Sequence, residues 1–414
     1  MPTSITPAKG SVLNSFETIV VVGTSLAGLR AIETLRREGY SGRIVAIGEE
    51  STMPYDRPPL SKQFLKGDWD REKIALRHQL EDDTEIDWKL GRRATALDID
   101  AKTIRLDGEG DETVAFDGLI IATGASARPF PGTPSMDGIY TLRTLADAEA
   151  LRERLESQPR VAVVGAGFIG MEVAATCRER GLEVTVVEFL ETPLVRGLGK
   201  VLGEHVASVF RGHGVALRCG VGVSGFLGDD KVEGLALADG TRVDAEVVIV
   251  GIGAVPATDW LEGSGLALDN GVVCDAYCAT TVPHIVAAGD IARWKDSRTG
   301  LPTRMEHWTN AVEQSVYAAR RLLHGESIGP FVHVPYVWSD QFELRLQIAG
   351  EVRDGDEMKI GLGSLEEGRC LVLFGREGKL TGAVGMKRAR QLNEFRDLIG
   401  EGISFEDAVA KLPA

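Results

Sequence analysis

No apolar run in the chain approaches the ~18 residues that a membrane-spanning helix requires, so no span is expected. Positive charge is also short, with 46 basic against 61 acidic residues and a net charge of −15. That balance argues against general nucleic-acid binding, which depends on a basic surface. Five cysteines are present, Cys177, Cys219, Cys274, Cys278 and Cys370, and none are spaced C-x-x-C. Their odd number does not suggest a disulfide framework, and a reducing, cytoplasmic setting fits best. Cys274 and Cys278 lie four apart without further ligands nearby, so no metal site is expected. Residues 1–15 lack a charged segment followed by an apolar core, and they read as a short tail rather than a signal peptide.

What the chain has in quantity is glycine, 49 residues in 414, many placed where a strand would turn into a helix. The length predicts two to four domains at roughly 100–150 residues each. The glycines are not in repeats, which favours nucleotide-binding α/β units over a low-complexity chain.

The most informative feature is an internal repeat. Residues 18–50 read TIVVVGTSLAGLRAIETLRREGYSGRIVAIGEE, and residues 160–189 read RVAVVGAGFIGMEVAATCRERGLEVTVVEF. Each is an apolar β-branched run, a glycine turn, an amphipathic helical stretch and a second apolar run closing on an acid. That pattern predicts a strand–helix–strand unit, twice over. In such a unit the first glycine makes the tight turn. The second admits a pyrophosphate to the helix N-terminus, and the third lets helix and strand pack closely. The second copy is complete, with Gly165, Gly167, Gly170 and then Glu188; Phe168 and Ile169 stand within its turn. The first has Gly23 and Gly28 but Ser25 between them. Glu49 and Glu50 are both placed to bind a ribose hydroxyl there, and the sequence does not choose between them. Two dinucleotide sites in one chain suggest a flavin and a nicotinamide. A carboxylate at Glu188 would accept from the 2′-hydroxyl of NADH and repel the 2′-phosphate of NADPH, unless Arg196 folds back.

Two segments share a plan that marks crossings between domains, LIIATGASARPFPG (119–132) and VVIVGIGAVPATDWL (247–261), placing Thr123, Gly124 and Gly253 at glycine turns. In a third, HIVAAGDIARW (284–294), Gly289 brings backbone close to a neighbour and Asp290 follows at a predicted helix start. As a plain N-cap Asp290 would have a structural role only; the strand–Gly–Asp arrangement also suits a carboxylate accepting from a polyol.

These segments, with PYDRPPLSK (54–62), ATG (122–124), AAGD (287–290) and WSDQ (338–341), resemble the NADH-dependent ferredoxin reductases of bacterial oxygenase systems, over nearly the whole chain. The resemblance implies an α/β fold with two Rossmann-like dinucleotide-binding domains, as in glutathione reductase, plus a C-terminal α+β domain. It implies an FAD domain from 15–121 and 250–325, an NADH domain from 122–249 and a reductase domain from 326–414. It also implies that Ala27 lies against the FAD pyrophosphate, that Arg57, Lys62, Arg143, Asp290 and Trp308 face the flavin, and that Ala94 contacts adenine through its backbone. Glu172 resembles a glutamate that pairs with the lysine beside flavin N5, and Trp338 an aromatic residue near flavin and nicotinamide. The chemistry implied is hydride transfer from NADH to FAD, then single electrons to a [2Fe-2S] ferredoxin. That ferredoxin would serve a cytochrome P450 or a ring-hydroxylating dioxygenase.

No acid–base dyad is needed, because the flavin carries the chemistry; His284 and His307 read as structural. The first cysteine falls beyond the second glycine turn, so neither disulfide nor single-thiol chemistry is expected at the flavin. Arg92–Arg93, the Arg293–Lys295–Arg298 loop with Arg304, and Lys387–Arg388–Arg390 are candidate docking patches, each otherwise a solvated face. Rubredoxin reductase and a flavoprotein resembling apoptosis-inducing factor remain alternatives. The short N-terminus and compact length favour the reductase over the latter. Monomer and weak homodimer both stay open.

Overall fold

The computed structural model describes residues 16–76, 80, 83–108, 110 and 112–412. The tail at 1–15 therefore lies outside the described residues. The chain forms two compact units. One comprises the chain up to Tyr55 with Leu76–Ala125 and Pro256–His333, and the other Asp56–Ala75, Ser126–Val255 and the chain from Val334 onward.

The first unit is built on a five-stranded parallel sheet. Its central strand, Thr18–Val22, pairs with Arg43–Gly48 on one side and Gly118–Ile121 on the other, with Ile86–Leu90 and Ile285–Ala287 at the edges. Ile19, Val20 and Val21 are fully buried, as strands covered on both faces require. The helix Leu26–Arg37 follows the first strand and buries Leu29, Ile32 and Leu35 at helical spacing. Arg36 in its last turn donates to the carbonyls of Tyr40 and Gly42, both at 2.8 Å, and to Asp83 at 2.5 Å. A cation thus closes the negative end of the helix.

The second unit repeats the plan. Val161–Val164 is flanked by Val184–Glu188 and Val247–Val250 in another five-stranded parallel sheet. The helix Phe168–Glu179 connects the first two of these strands. The same unit carries a five-stranded antiparallel sheet in the order Tyr336–Gln341, Leu344–Gly350, Lys379–Met386, Arg369–Arg376, Glu357–Ser364. Alternation splits its side chains between two cores. Leu371 and Leu373 pack with Leu392, Phe395 and Ile399 of the helix Ala389–Glu401. Cys370, Val372 and Phe374 pack in the core that holds Met171 and Val173. The C-terminal sheet is thereby pressed against the crossover helix that carries Glu172.

The glycine turns explain themselves sterically. A Cβ added at Gly28 would lie 1.8 Å from the carbonyl oxygen of Gly23, and one at Gly170 would lie 2.1 Å from that of Gly165. Only glycine lets each helix sit this close to its strand. One local expectation changes: no α-helix begins at Asp290. Gly289–Ile291 is a single 3-10 turn whose cap is Ala288, and the next α-helix is Trp308–His324. Asp290 is therefore no α-helix N-cap.

Candidate functional site

Each glycine turn delivers a helix N-terminus whose first N–H groups receive no side-chain cap, with Ser25 at one cap position and Gly167 at the other. A Cβ placed on Gly167 would meet nothing within 4 Å, so the backbone there opens onto free space. Together with the helix dipole this is a seat for a pyrophosphate. In the first unit the seat is walled by Leu26, Ala27, Ala122 and Ala311, with Trp308 packed alongside. A Cβ on Gly289 would lie 3.1 Å from that of Ala27, which brings the strand end carrying Asp290 close to the helix. Asp290 is 8% exposed, and Arg304 donates to its carbonyl at 3.0 Å. An apolar wall, uncapped N–H groups and a nearly buried acid fit a flavin dinucleotide.

The other candidates of the first unit take these places. Glu50 accepts from the Tyr55 hydroxyl at 2.5 Å, whereas Glu49, the first residue after the strand Arg43–Gly48, is exposed and 3.9 Å from Arg93. Ala94 is buried at the start of a strand. Thr123 donates to the Ala257 carbonyl at 3.1 Å, next to Gly124. Burial, joined by the charge of His333, holds His307 below the usual histidine pKa while Asp290 opposes the shift. His307 is therefore neutral at pH 7. His284 packs edge-on against Phe16.

In the second unit, Glu188 is held on both oxygens: Ala166 N–H donates to Oε2 at 2.6 Å and Leu190 N–H to Oε1 at 2.8 Å. Its carboxylate is fixed beside the uncapped helix end, with lone pairs left for a ribose. Phe168 packs against Gly197, and Ile169 is half exposed in the first turn of the helix. Gly253 lies between two strands, where its carbonyl accepts from Arg128 N–H at 2.9 Å. Arg57 donates to the Arg143 carbonyl at 2.5 Å, which brings two of the flavin candidates together.

The pairing of Lys62 with Glu172, 110 residues apart, is present. Nζ lies 2.8 Å from Oε2, and the two side chains are 12% and 3% exposed. Two partners of this pair escaped sequence reasoning. Ser61 donates to Oε2 at 2.5 Å and Ser339 to Oε1 at 2.6 Å. Both sit inside motifs that stand out, PYDRPPLSK and WSDQ, but a serine there carries no pattern pointing to a distant acid. Phe189 was also missed. It follows Glu188, is 76% exposed, and has ring atom Cδ2 3.5 Å from where a Cβ on Gly222 would stand. A large aromatic next to the acid that closes the strand was the available signal.

The thiols are withdrawn from chemistry. Burial pushes Cys177 and Cys274 up to about 12 and Cys370 to about 11, and it raises Cys278 well above the ordinary value. Cys219 is raised by burial and by Glu188. Because the thiolate is the reactive form, iodoacetamide at pH 8 is expected to alkylate Cys219 at most and to leave NADH-driven turnover intact. Activity lost in step with alkylation of a second cysteine would restore a thiol mechanism. Among the described residues, no group of three or more His, Cys, Asp or Glu side chains is placed to hold a metal. None of their helices is long and apolar enough to cross a membrane.

Much of the candidate docking charge is already paired. Arg92 binds Glu112 at 2.8 Å, and Arg93 lies 3.8 Å from Asp259. Arg293 pairs with Asp269, Arg298 with Asp296 at 3.2 Å and Arg304 with Glu306 at 2.9 Å. Lys387 borders a surface depression with Trp338, Asp340, Arg345 and Gln347, in which Arg345 lies 3.9 Å from Asp340.

Two crossover folds with uncapped glycine-turn helices, one buried lysine–carboxylate pair and no reactive thiol define a two-dinucleotide-fold oxidoreductase. The chain belongs to the pyridine nucleotide-disulphide oxidoreductase family, whose profile matches residues 17–315, and a reductase C-terminal profile matches residues 336–413. Rhodocoxin reductase of Rhodococcus erythropolis is 37% identical over 92% of this chain and 89% of its own. The ferredoxin–NAD(+) reductase component of the biphenyl dioxygenase system of Paraburkholderia xenovorans is 34% identical over 94% of each. Among solved structures, one in the covalent putidaredoxin reductase–putidaredoxin complex superposes with a TM-score of 0.88 at 30% identity, covering 96% of both chains.

Proposed function

We propose that the protein is an FAD-dependent NADH:ferredoxin oxidoreductase serving a cytochrome P450 or a ring-hydroxylating dioxygenase. The observation that carries this reading is the presence of two uncapped dinucleotide seats in a chain whose thiols are all withdrawn. Two redox-active dinucleotides can then react with each other but not with a protein disulfide. The relatives named for the same activity support it. When bound, the flavin accepts hydride at N5 and releases the electrons singly.

The chain's own residues bind, orient and supply charge. The N–H groups at Ser25, Ala27 and Gly28 take the FAD pyrophosphate, Glu49 the ribose and Asp290 the ribityl chain, with Trp308 beside the ring system. We assign residues 15–121 and 250–325 to the FAD domain, less Asp56–Ala75, which belong to the second compact unit, with 122–249 as the NADH domain and 326–414 as the reductase domain. The turn Gly165–Gly170 takes the NADH pyrophosphate and Glu188 its ribose. Lys62, held by Glu172, presents an ammonium where negative charge develops. The exposed ring of Phe189 stacks on adenine. Stacking on an aromatic ring is worth roughly 1–3 kcal/mol, so Phe189→Ala is expected to weaken NADH binding about 10-fold. Reduced nicotinamide mononucleotide, which has no adenine, should bind both proteins equally; equal loss for the two ligands would place Phe189 elsewhere.

Lys387, beside Trp338, is the docking patch we favour for an acidic ferredoxin. We place the protein in the cytoplasm, where buried thiols stay reduced.

The test is anaerobic mixing of the flavin-loaded protein with NADH, followed by a [2Fe-2S] ferredoxin. Rapid bleaching, then recovery of flavin absorbance as the ferredoxin is reduced, is the expected course. A persistent long-wavelength charge-transfer band, unmoved by several ferredoxins, would replace this reading with that of a redox-responsive flavoprotein.

A further inference from the structure

The Lys62–Glu172 pair is supported by a chain of side chains that the proposed reaction does not use. Ser339 is fully buried in the strand Tyr336–Gln341, and its hydroxyl donates to Glu172 Oε1 at 2.6 Å. Two residues on, on the same face of the strand, the fully buried Gln341 donates from Nε2 to Ser339 Oγ at 2.9 Å. The direction of these bonds follows from the chemistry. An ionised carboxylate only accepts, so the single proton of Ser339 must point at Glu172. The lone pairs of Ser339 are then free to accept, which fixes the Gln341 amide with its NH2 toward the serine. The Gln341 Oε1 that results is buried without a partner. Leaving an amide oxygen unsatisfied is costly, and the cost is tolerated where it orients a functional group.

The next residue anchors the relay. Phe342 holds φ at +52°, a left-handed backbone that a bulky residue rarely adopts. Its ring stacks on His213 at 3.9 Å and meets Phe210 edge-on. On the far side of the carboxylate, Ser61 donates to Oε2 while its own carbonyl accepts from Thr176 Oγ1 at 2.8 Å. Glu172 is therefore gripped on both oxygens by groups that carry no charge, and among the described residues Lys62 is the cation paired with it.

We propose that Ser339 and Gln341 are positioning residues for hydride transfer: the amide orients the hydroxyl, the hydroxyl fixes Oε1, and the fixed carboxylate holds the Lys62 ammonium in one place. This rests on reading Lys62–Glu172 as the pair that serves the flavin. It gives the C-terminal sheet a part in the chemistry, carried through the carboxylate of the crossover helix.

The experiment is a double-mutant cycle with a cofactor-free control. Limiting rates of flavin reduction by NADH are measured in stopped flow for the wild type, Ser339→Ala, Lys62→Ala and the double variant. The expected result is a loss of about 10-fold for Ser339→Ala with the Kd for NADH unchanged, and no further loss when it is added to Lys62→Ala. Gln341→Met, which keeps the buried volume but has no amide, is expected to give a smaller loss in the same direction, and it stands in if Ser339→Ala does not fold. In the apoprotein, reductive methylation with peptide mapping should label Lys62 several-fold faster in Ser339→Ala. Lys66 and Lys89 should label at the wild-type rate; a merely loosened fold would speed all three. Additive losses in the cycle, or unchanged labelling of Lys62, overturn the proposal. If Lys62→Ala itself reduces as fast as wild type, the reading of the pair fails first, a result distinct from failure of the relay.

Discussion

Lys62→Ala is expected to slow hydride transfer from NADH about 100-fold, the scale on which removal of one preorganised charge-stabilising donor is felt in enzyme sites, while FAD stays bound. The ammonium lies 2.8 Å from Glu172 Oε2, in surroundings where the carboxylate is 3% exposed. A cation in such a place is worth far more than on the surface, because little water screens it. Its loss leaves Glu172 with only the hydroxyls of Ser61 and Ser339. Truncating one partner of a buried ion pair costs roughly 3–5 kcal/mol, and those hydroxyls place this pair at the lower end. Two measurements are therefore coupled: the flavin spectrum should remain that of the bound cofactor, and the rate of its bleaching should fall. An unaffected rate would make Lys62 a bystander whose role is structural.

Glu188→Arg is expected to reduce the preference for NADH over NADPH, expressed as the ratio of kcat/KM values, by about 100-fold. A hydrogen bond to a charged group contributes roughly 1.5–3 kcal/mol, and reversing the charge converts repulsion of a 2′-phosphate into attraction. The carboxylate is already oriented by the N–H groups of Ala166 and Leu190, so it needs no reorganisation to accept from a ribose. Glu188→Ala is expected to give a smaller change of the same sign, since it removes the acceptor without adding a cation. A preference unchanged in both variants would take Glu188 out of the coenzyme site.

Much of the fold was legible because its signals are local. Each crossover unit announces itself within about 30 residues through the period of its strands and the spacing of its glycines. The C-terminal sheet was partly legible. The runs YVWSDQFELRLQIAG, CLVLFG and LTGAVGM carry the composition of short strands, and Glu357–Ser364 carries it less clearly. That segment, EMKIGLGS, keeps Met358, Ile360 and Leu362 on alternate positions, but it is an edge strand with two glycines and a bulge near Ile360, and glycine within a strand weakens its signal. Asp290 misled locally because a glycine followed by an acid and apolar residues suits a helix start as well as a single turn. At the site, Lys62 and Glu172 were reachable only through resemblance, since nothing in the spacing of two residues 110 apart predicts contact.

The sequence by itself determined that there are two dinucleotide folds, that each presents an open helix N-terminus, and that no thiol pair is available for redox work. These are properties of short windows, set by backbone sterics at glycine and by residue periodicity. The tertiary structure alone decided that Asp56–Ala75 folds with the second unit, and that Ser339 reaches Glu172 across 167 residues of chain. It also decided which of two adjacent acids is occupied by Tyr55 and which stays exposed. Such choices come from which buried polar groups can satisfy one another once the cores have formed, and that matching leaves no periodic trace in the order of residues.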